Sequence, residues 1–450
     1  MISIRIINSI FFIVSLFLCF LAPNTYSFTF CSAILFVFMA QNLIFFSQKT
    51  YNNLACFEFF FAFSFCLCNF IYPVFYFPIK PEFGTFAFPF NKNIISYSTA
   101  LAGLAYSSYL LGISHIFSLK KQNNKIINDF KINSYFIRIL FGLSIITYIL
   151  YIATGGLSHL SSVYAGNADF NEVGLFSYFN NIFSITCLLL AMFTFKIKDK
   201  TLRNSVLIYL FFAMLFIIFT GSRTIVIGVG LILLVSYGTF IKKIPKILLL
   251  MFVGLGSVLM AFIMLFRQEN YSSNDVNQFT SGFDIYLDLI GTNRNLYVLV
   301  DFANKNFHAY FVSITGDLLS PIPGSSGIMN FFGLPKDMMG GAFPTFLQFG
   351  TGSKFGLGTN MVGEMYFAFG IYGVIFISFL IGWLISKVKN NLNNVYYYVI
   401  YFIFVSNAIF YPRAPYLLQP RTLVWAMLII FLFQLYKKQV FLFGKKLRKF

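Results

Sequence analysis

Residues 362–386 read VGEMYFAFGIYGVIFISFLIGWLIS, an apolar run whose single charged residue, Glu364, stands at its start. An α-helix rises about 1.5 Å per residue and the hydrocarbon core of a bilayer is about 30 Å thick, so a run of this length can cross it. Working outward, comparable runs occupy residues 6–22, 29–46, 54–77, 94–118, 134–154, 173–195, 204–221, 224–241 and 246–266 before it, and 395–411 and 421–437 after it. The expected fold class is therefore an all-α polytopic membrane protein of about 12 transmembrane helices. Composition agrees: with 58% of 450 residues hydrophobic and 10% charged, the chain holds more apolar surface than a soluble protein of its length can hide.

A net charge of +18 would suggest a nucleic-acid partner in a soluble protein. Here the cations cluster in short segments between apolar runs, where they face lipid head groups, and no nucleic-acid partner is expected. If the first helix runs from inside to outside, the inner segments carry Arg5; Lys49; Lys120, Lys121, Lys125 and Lys131; Lys196, Lys198, Lys200 and Arg203; Lys242, Lys243 and Lys246; Lys387 and Lys389; and a basic tail from Lys437 to Lys449. On the other side, residues 23–28 and 155–172 carry neither Lys nor Arg, and residues 78–93 carry only Lys80 and Lys92. That alternation predicts an even number of spans with both termini cytoplasmic. Arg5 before an apolar run resembles a secretory signal, but Pro23 to Ser27 offers no small-residue cleavage site, so the run is expected to stay as the first helix.

Residues 267–361 break the pattern with a long segment of mixed charge, expected outside the membrane. A loop of that length in a compact architecture is usually functional. The stretch from Asp284 to Phe302 suits an amphipathic helix, whereas Gly316 to Gly363, rich in Gly and Pro, is expected to be irregular. The chain thus divides into residues 1–266 with nine spans and short loops, the large loop 267–361, and residues 362–450 with three spans and the basic tail.

Cys19, Cys31, Cys56, Cys66, Cys68 and Cys187 all fall in apolar runs and support neither a disulfide framework nor a metal site. No two of His115, His159 and His308 have metal-ligand spacing, so neither a metal nor a cofactor is expected. Gly350-Thr351-Gly352-Ser353-Lys354 lacks the spacing of a phosphate loop and has no strand before it. Without a nucleotide site, chemistry would need a substrate already activated and delivered in the membrane.

Charges near the outer face are the informative residues, because an ionisable group in a span costs roughly 2.5 to 3.5 kcal/mol on insertion scales. Arg223, in Thr220-Gly221-Ser222-Arg223-Thr224, either snorkels beside a tight helical hairpin or meets a phosphate. Arg267 follows Phe266 at the outer end of the ninth run, with Glu269 two residues on, and is an interfacial anchor, half of a local ion pair or a functional cation. Arg294 has Asp288 and Asp301 nearby in sequence, which suits an exposed ion pair. Arg413 and Arg421 flank Ala414-Pro415-Tyr416-Leu417-Leu418-Gln419-Pro420 on the outer side, against the charge trend, and arginine forks suit pyrophosphate or carboxylate oxygens. Glu364 is either an acid stabilised by a helix N-terminus or a base or clamp for a sugar hydroxyl. His308, in the large loop near Arg294, is structural or a weaker catalytic candidate.

Three features resemble the O-antigen (oligosaccharide repeat-unit) polymerase family of bacterial inner membranes: Thr220–Thr224 at a helix break, Arg267 opening a long late loop, and Gly363-Glu364-Met365-Tyr366-Phe367-Ala368-Phe369-Gly370-Ile371-Tyr372-Gly373 at the start of the next helix. The resemblance implies a GT-C-like polymerase/ligase architecture and an inverting glycosyl transfer at the periplasmic face. Undecaprenyl-pyrophosphate-linked glycans would serve as donor and acceptor, with a chain-length regulator as a candidate partner. It implies Arg223, Arg267, Arg413 and Arg421 as a pyrophosphate clamp and Glu364 as base or acceptor orienter, with His308 and Arg294 as second choices. Two alternatives share the architecture: an O-antigen ligase or other lipid-linked sugar transferase, and, from another class, a polysaccharide flippase or secondary transporter. The latter tends to show two similar halves, whereas here only the second half carries a long loop.

Overall fold

The computed structural model describes residues 4–48, 53–82, 84–117, 133–156, 175–219, 223–268, 286–335, 340–350, 356–417 and 419–447. Among these the regular structure is all helical. A helix stands at each of the twelve apolar runs: α1 (Ile4–Phe20), α2 (Phe28–Phe46), α3 (Phe57–Asn69), α4 (Ile95–Phe117), α5 (Ser134–Ala153), α6 (Leu175–Phe193), α7 (Lys200–Phe219), α8 (Thr224–Phe240) and α9 (Lys246–Gln268), with α15 (Met361–Lys389), α16 (Val395–Ser406) and α17 (Pro420–Leu447) closing the chain. Five of them, α2, α5, α6 with its extension to Lys196, α7 and α15, are long and apolar enough to cross a membrane.

Local chemistry explains where the helices differ from the apolar runs. The run 54–77 is not one helix: α3 stops at Asn69 and a π turn follows over Tyr72–Tyr76, because Pro73 has no N–H to continue the ladder. The run 395–411 ends early at Ser406, where Asn407 Nδ2 turns back to donate to the Ile403 carbonyl at 3.0 Å and the Ser406 hydroxyl at 2.8 Å. Asn133, Asn360 and Asn394 cap the starts of α5, α15 and α16 through their side-chain oxygens. α4 is long but carries buried Ser96, Ser98, Thr99, Ser107, Ser108 and Ser114, since it runs through the interior and meets protein on all sides.

The central packing is α4 against α15, and it depends on two glycines. A Cβ on Gly112 would fall on the Phe379 carbonyl, and one on Gly382 would fall on the Tyr109 carbonyl. Such close backbone approach is how helices associate where lipid removes the hydrophobic drive. Gly382→Leu is therefore expected to cost about 3 kcal/mol or more, because backbone rather than a movable side-chain tip blocks it. Gel filtration of a fluorescent fusion in detergent should lose its monodisperse peak for Gly382→Leu and keep it for Gly142→Leu, where a Cβ meets nothing within 4 Å.

Between α9 and α15 lie α10 (Leu287–Ile290), α11 (Thr292–Lys305), α12 (Val312–Leu319), α13 (Ser325–Phe331) and α14 (Phe343–Phe349). The helix expected over 284–302 is there, shifted toward its C-terminal side. The region expected to be irregular, Gly316 to Gly363, holds the end of α12 together with α13 and α14, because turns such as Pro321 to Gly324 fall between the helices and Pro344 sits in the first turn of α14, where its missing N–H costs nothing.

α11 lies against the start of α15, where Gly363 admits Leu296 and Leu299. α15 itself breaks at Phe369 and Gly370, the latter at φ 63°, which glycine adopts without strain. The loop repairs this break. The backbone N–H groups of Ala309 and Tyr310 donate to the Phe367 and Ala368 carbonyls at 2.9 and 3.0 Å, which pairs these two acceptors at the kink.

Candidate functional site

The N-terminus of α8, the start of α15, the α16–α17 connection and helices α10 to α12 meet at one end of the bundle. Arg223 is the residue just before α8. Arg413 ends a single 3-10 turn, Tyr411–Arg413, which the Tyr411 hydroxyl fixes by donating to the Tyr416 carbonyl at 2.8 Å. Both guanidinium groups reach the same carboxylate: Arg223 Nη2 pairs with Asp288 Oδ2, and Arg413 Nη1 lies 3.4 Å from that oxygen. Asp288 comes from α10, so three separate segments converge on one ion cluster. Two cations so close need a counter-ion, and Asp288 supplies one to both. Arg413 Nη1 is buried and makes no hydrogen bond, and a Cβ on Gly358, at φ 70°, would lie 3.6 Å from Nη2 of the same guanidinium. Burial pulls the Arg413 guanidinium below its ordinary range, yet an arginine stays charged at neutral pH.

Beside the cluster opens a cavity of about 440 Å³. Thr224 and Ala414, chain neighbours of the two arginines, line it, together with Asn180, Asn181, Ser184, Asn407, Gln419, Thr422, Arg421 and Asp317. Hydroxyl and amide groups of this kind suit a sugar. Gln419 is held there by Nε2 donating to Asn407 Oδ1 at 2.6 Å, and Arg421 by Nε donating to the Ser320 carbonyl at 2.8 Å. Trp425 Nε1 donates to the Pro321 carbonyl at 3.0 Å, tying α17 to the turn after α12.

The remaining sequence candidates fall elsewhere. Glu364 is 2% exposed in the first turn of α15, accepts a hydrogen bond from the Thr359 hydroxyl at 2.8 Å, and is not among the residues lining the cavity. His308 sits over Gly370 with Nδ1 3.1 Å from the Tyr366 carbonyl. A carbonyl only accepts, so Nδ1 is the donor in this contact. Arg267 lies in the last turn of α9, and its side chain lies outside the described residues, as do Thr220, Gly221 and Ser222.

The exposed ion pair expected for Arg294 is corrected. The side chain is 1% exposed, donates from Nη2 to the Pro89 carbonyl at 3.3 Å and to Gln348, and lies over the Phe88 ring. Its sequence neighbours are engaged by others: Asp288 by Arg223 and Arg413, and Asp301 by Lys305 at 2.7 Å and Asn91 at 2.7 Å. On α11, Arg294 thus faces inward and joins the 86–90 segment to α14. Burial draws it down to about 10.

Sequence reasoning did not single out Asp288, Asp317, Asn407 or Gln419 as site residues. Asp288 pairs with residues 65 and 125 positions away, which no local pattern reports. Asp317 did carry a signal, being a lone acid in the otherwise uncharged stretch Phe311–Phe332.

Among the described residues the regular structure is all helical, five helices are of membrane-spanning length and apolarity, and two arginines meet on one carboxylate beside a polar cavity, features of a polytopic membrane protein. The family model described as O-antigen polysaccharide polymerase Wzy matches residues 4–446. The chain therefore belongs to that family over nearly its whole length, which makes it a membrane glycosyltransferase of the polysaccharide-polymerase type. No curated protein and no solved structure matches it.

Proposed function

We propose that this protein joins undecaprenyl-pyrophosphate-linked oligosaccharide repeat units into an O-antigen or capsule-type polysaccharide at the periplasmic face of the inner membrane. The observation that carries this is the convergence of Arg223 and Arg413 on one carboxylate beside the polar cavity. As the bond between the donor sugar and its pyrophosphate breaks, negative charge grows on the leaving oxygens. A guanidinium about 4 Å from such a charge gains roughly 4 kcal/mol at an effective dielectric of about 20, against about 1 in water. Half-buried, preorganised arginines therefore supply the stabilisation the step needs. Asp288 keeps the two cations together before substrate binds, and the more highly charged pyrophosphate competes for them. Arg421 at the cavity rim contributes a further cation, and Arg267 remains a proposed member of the clamp. Glu364 holds Thr359 and the turn leading into α15. His308 secures the kink of α15.

The charge alternation supports twelve spans with both termini cytoplasmic, the arginine end outside, and the 267–361 segment as a periplasmic cap. The test is glycan length on gels from cells lacking the gene. A single repeat unit on the surface lipid, restored to a ladder by the wild-type gene, is the expected result. Complete loss of surface glycan points instead to a ligase or flippase, and an unchanged ladder rules the polymerase out.

A further inference from the structure

The clamp accounts for the leaving group but not for the acceptor hydroxyl, whose proton must go to a base. Helices α10, α11, α12 and α15 carry four carboxylates, and three are committed. Asp288 is held by two guanidiniums, Asp301 by Lys305 and Asn91, and Glu364 is sealed against Thr359. Asp317 is the fourth. It lines the cavity, its Oδ2 is buried with no hydrogen-bond partner, and no cation among the described residues pairs with it.

We propose that Asp317 is the general base that activates the acceptor sugar in this cavity. This rests on the polymerase function proposed above. The acceptor oxygen forms its bond to the donor's anomeric carbon while the bond from that carbon to the pyrophosphate oxygen breaks. The electron pair leaves with the pyrophosphate, onto the arginines, and the acceptor's proton passes to the Asp317 carboxylate and then to water. One base acting opposite one leaving group is the arrangement an inverting displacement requires.

Burial without a partner pushes Asp317 up to about 6, which makes it a stronger base than an ordinary carboxylate while leaving it ionised at neutral pH. The charged and titratable groups around it are Glu364 from α15, Tyr416 from the α16–α17 connection and Arg421 from α17. Because the ionised form is the active one, rate should rise with pH through a midpoint near 6.

The experiment uses purified full-length protein in lipid vesicles, with repeat units on undecaprenyl pyrophosphate extracted from cells lacking the gene. Initial rates are measured from pH 5 to 8. Asp317→Asn is expected to lose about 10²- to 10⁴-fold in rate and the rising limb, while the lipid-linked donor still raises its melting temperature as it does for wild type. Asp317→Glu is expected to keep part of the rate with a displaced midpoint, and that measurement decides the matter if Asp317→Asn does not fold. The proposal is overturned if Asp317→Asn retains wild-type rate and limb, if Asp317→Glu leaves the midpoint in place, or if Glu364→Gln alone abolishes the limb. A wild-type protein that makes no polymer at any pH overturns the polymerase function itself, a distinct outcome.

Discussion

Replacing Arg413 by alanine is expected to lower the polymerisation rate by about 10²- to 10³-fold, the usual cost of removing one preorganised donor to developing negative charge. Arg413 differs from a surface cation in three ways: its Nη1 is buried, that nitrogen makes no hydrogen bond, and the guanidinium shares Asp288 with Arg223. Arg413→Lys should recover only part of the rate, because an ammonium cannot offer the planar fork to two phosphate oxygens. Arg223→Ala should resemble Arg413→Ala, and the double variant should be little worse than either, since both serve one group. Arg294→Ala should behave differently, reducing the amount of folded protein while the molecules that fold keep their specific activity. Rates per mole of folded protein, quantified by gel filtration, separate these patterns. Equal loss of specific activity for Arg294→Ala and Arg413→Ala would show that the cluster is not special.

The largest stability effect is expected at the other end of α15. Lys389 Nζ lies 2.7 Å from Glu58 Oε1, the glutamate is 1% exposed, and its second oxygen has no hydrogen-bond partner. Removing the cation strands a buried carboxylate, which costs roughly 3 to 5 kcal/mol. Lys389→Met should therefore melt well below wild type in detergent, and Glu58→Gln combined with Lys389→Met should recover most of the loss, because it removes the charge that was stranded. Failure of the double variant to recover would mean that Lys389 acts through other contacts.

The sequence and the structure agree best where the signal is local. The run 362–386 became α15 because apolar length alone dictates a helix there, and Asn360 fixes its start by capping Val362 and Gly363. The kink at Gly370 was less visible: a glycine in an apolar helix is common, and what makes this one a break is the 308–310 segment that pairs with the freed carbonyls. In the site, Arg223 and Arg413 stood out because cations at an apolar boundary are costly, and that cost is readable from one chain. Their meeting at Asp288 was not readable, since it depends on how α8, α10 and the Tyr411–Arg413 turn pack. Arg294 shows the opposite case. Acids nearby in sequence suggested a surface pair, yet the helical turn carries Arg294 to a buried face where its partners are Pro89 and Gln348. Glu364 was legible as an unusual carboxylate but not as a sealed one, because Thr359, its partner, belongs to a turn whose shape Gly358 sets.

The most direct measurement gives purified protein in vesicles one sugar source, the undecaprenyl-pyrophosphate-linked repeat unit, and follows product length together with release of undecaprenyl pyrophosphate. A ladder of multiple repeats, with one pyrophosphate lipid released per bond formed and both lost in Arg413→Ala, is the predicted result. Repeat units that remain single, or that cross the vesicle bilayer without being joined, would contradict it.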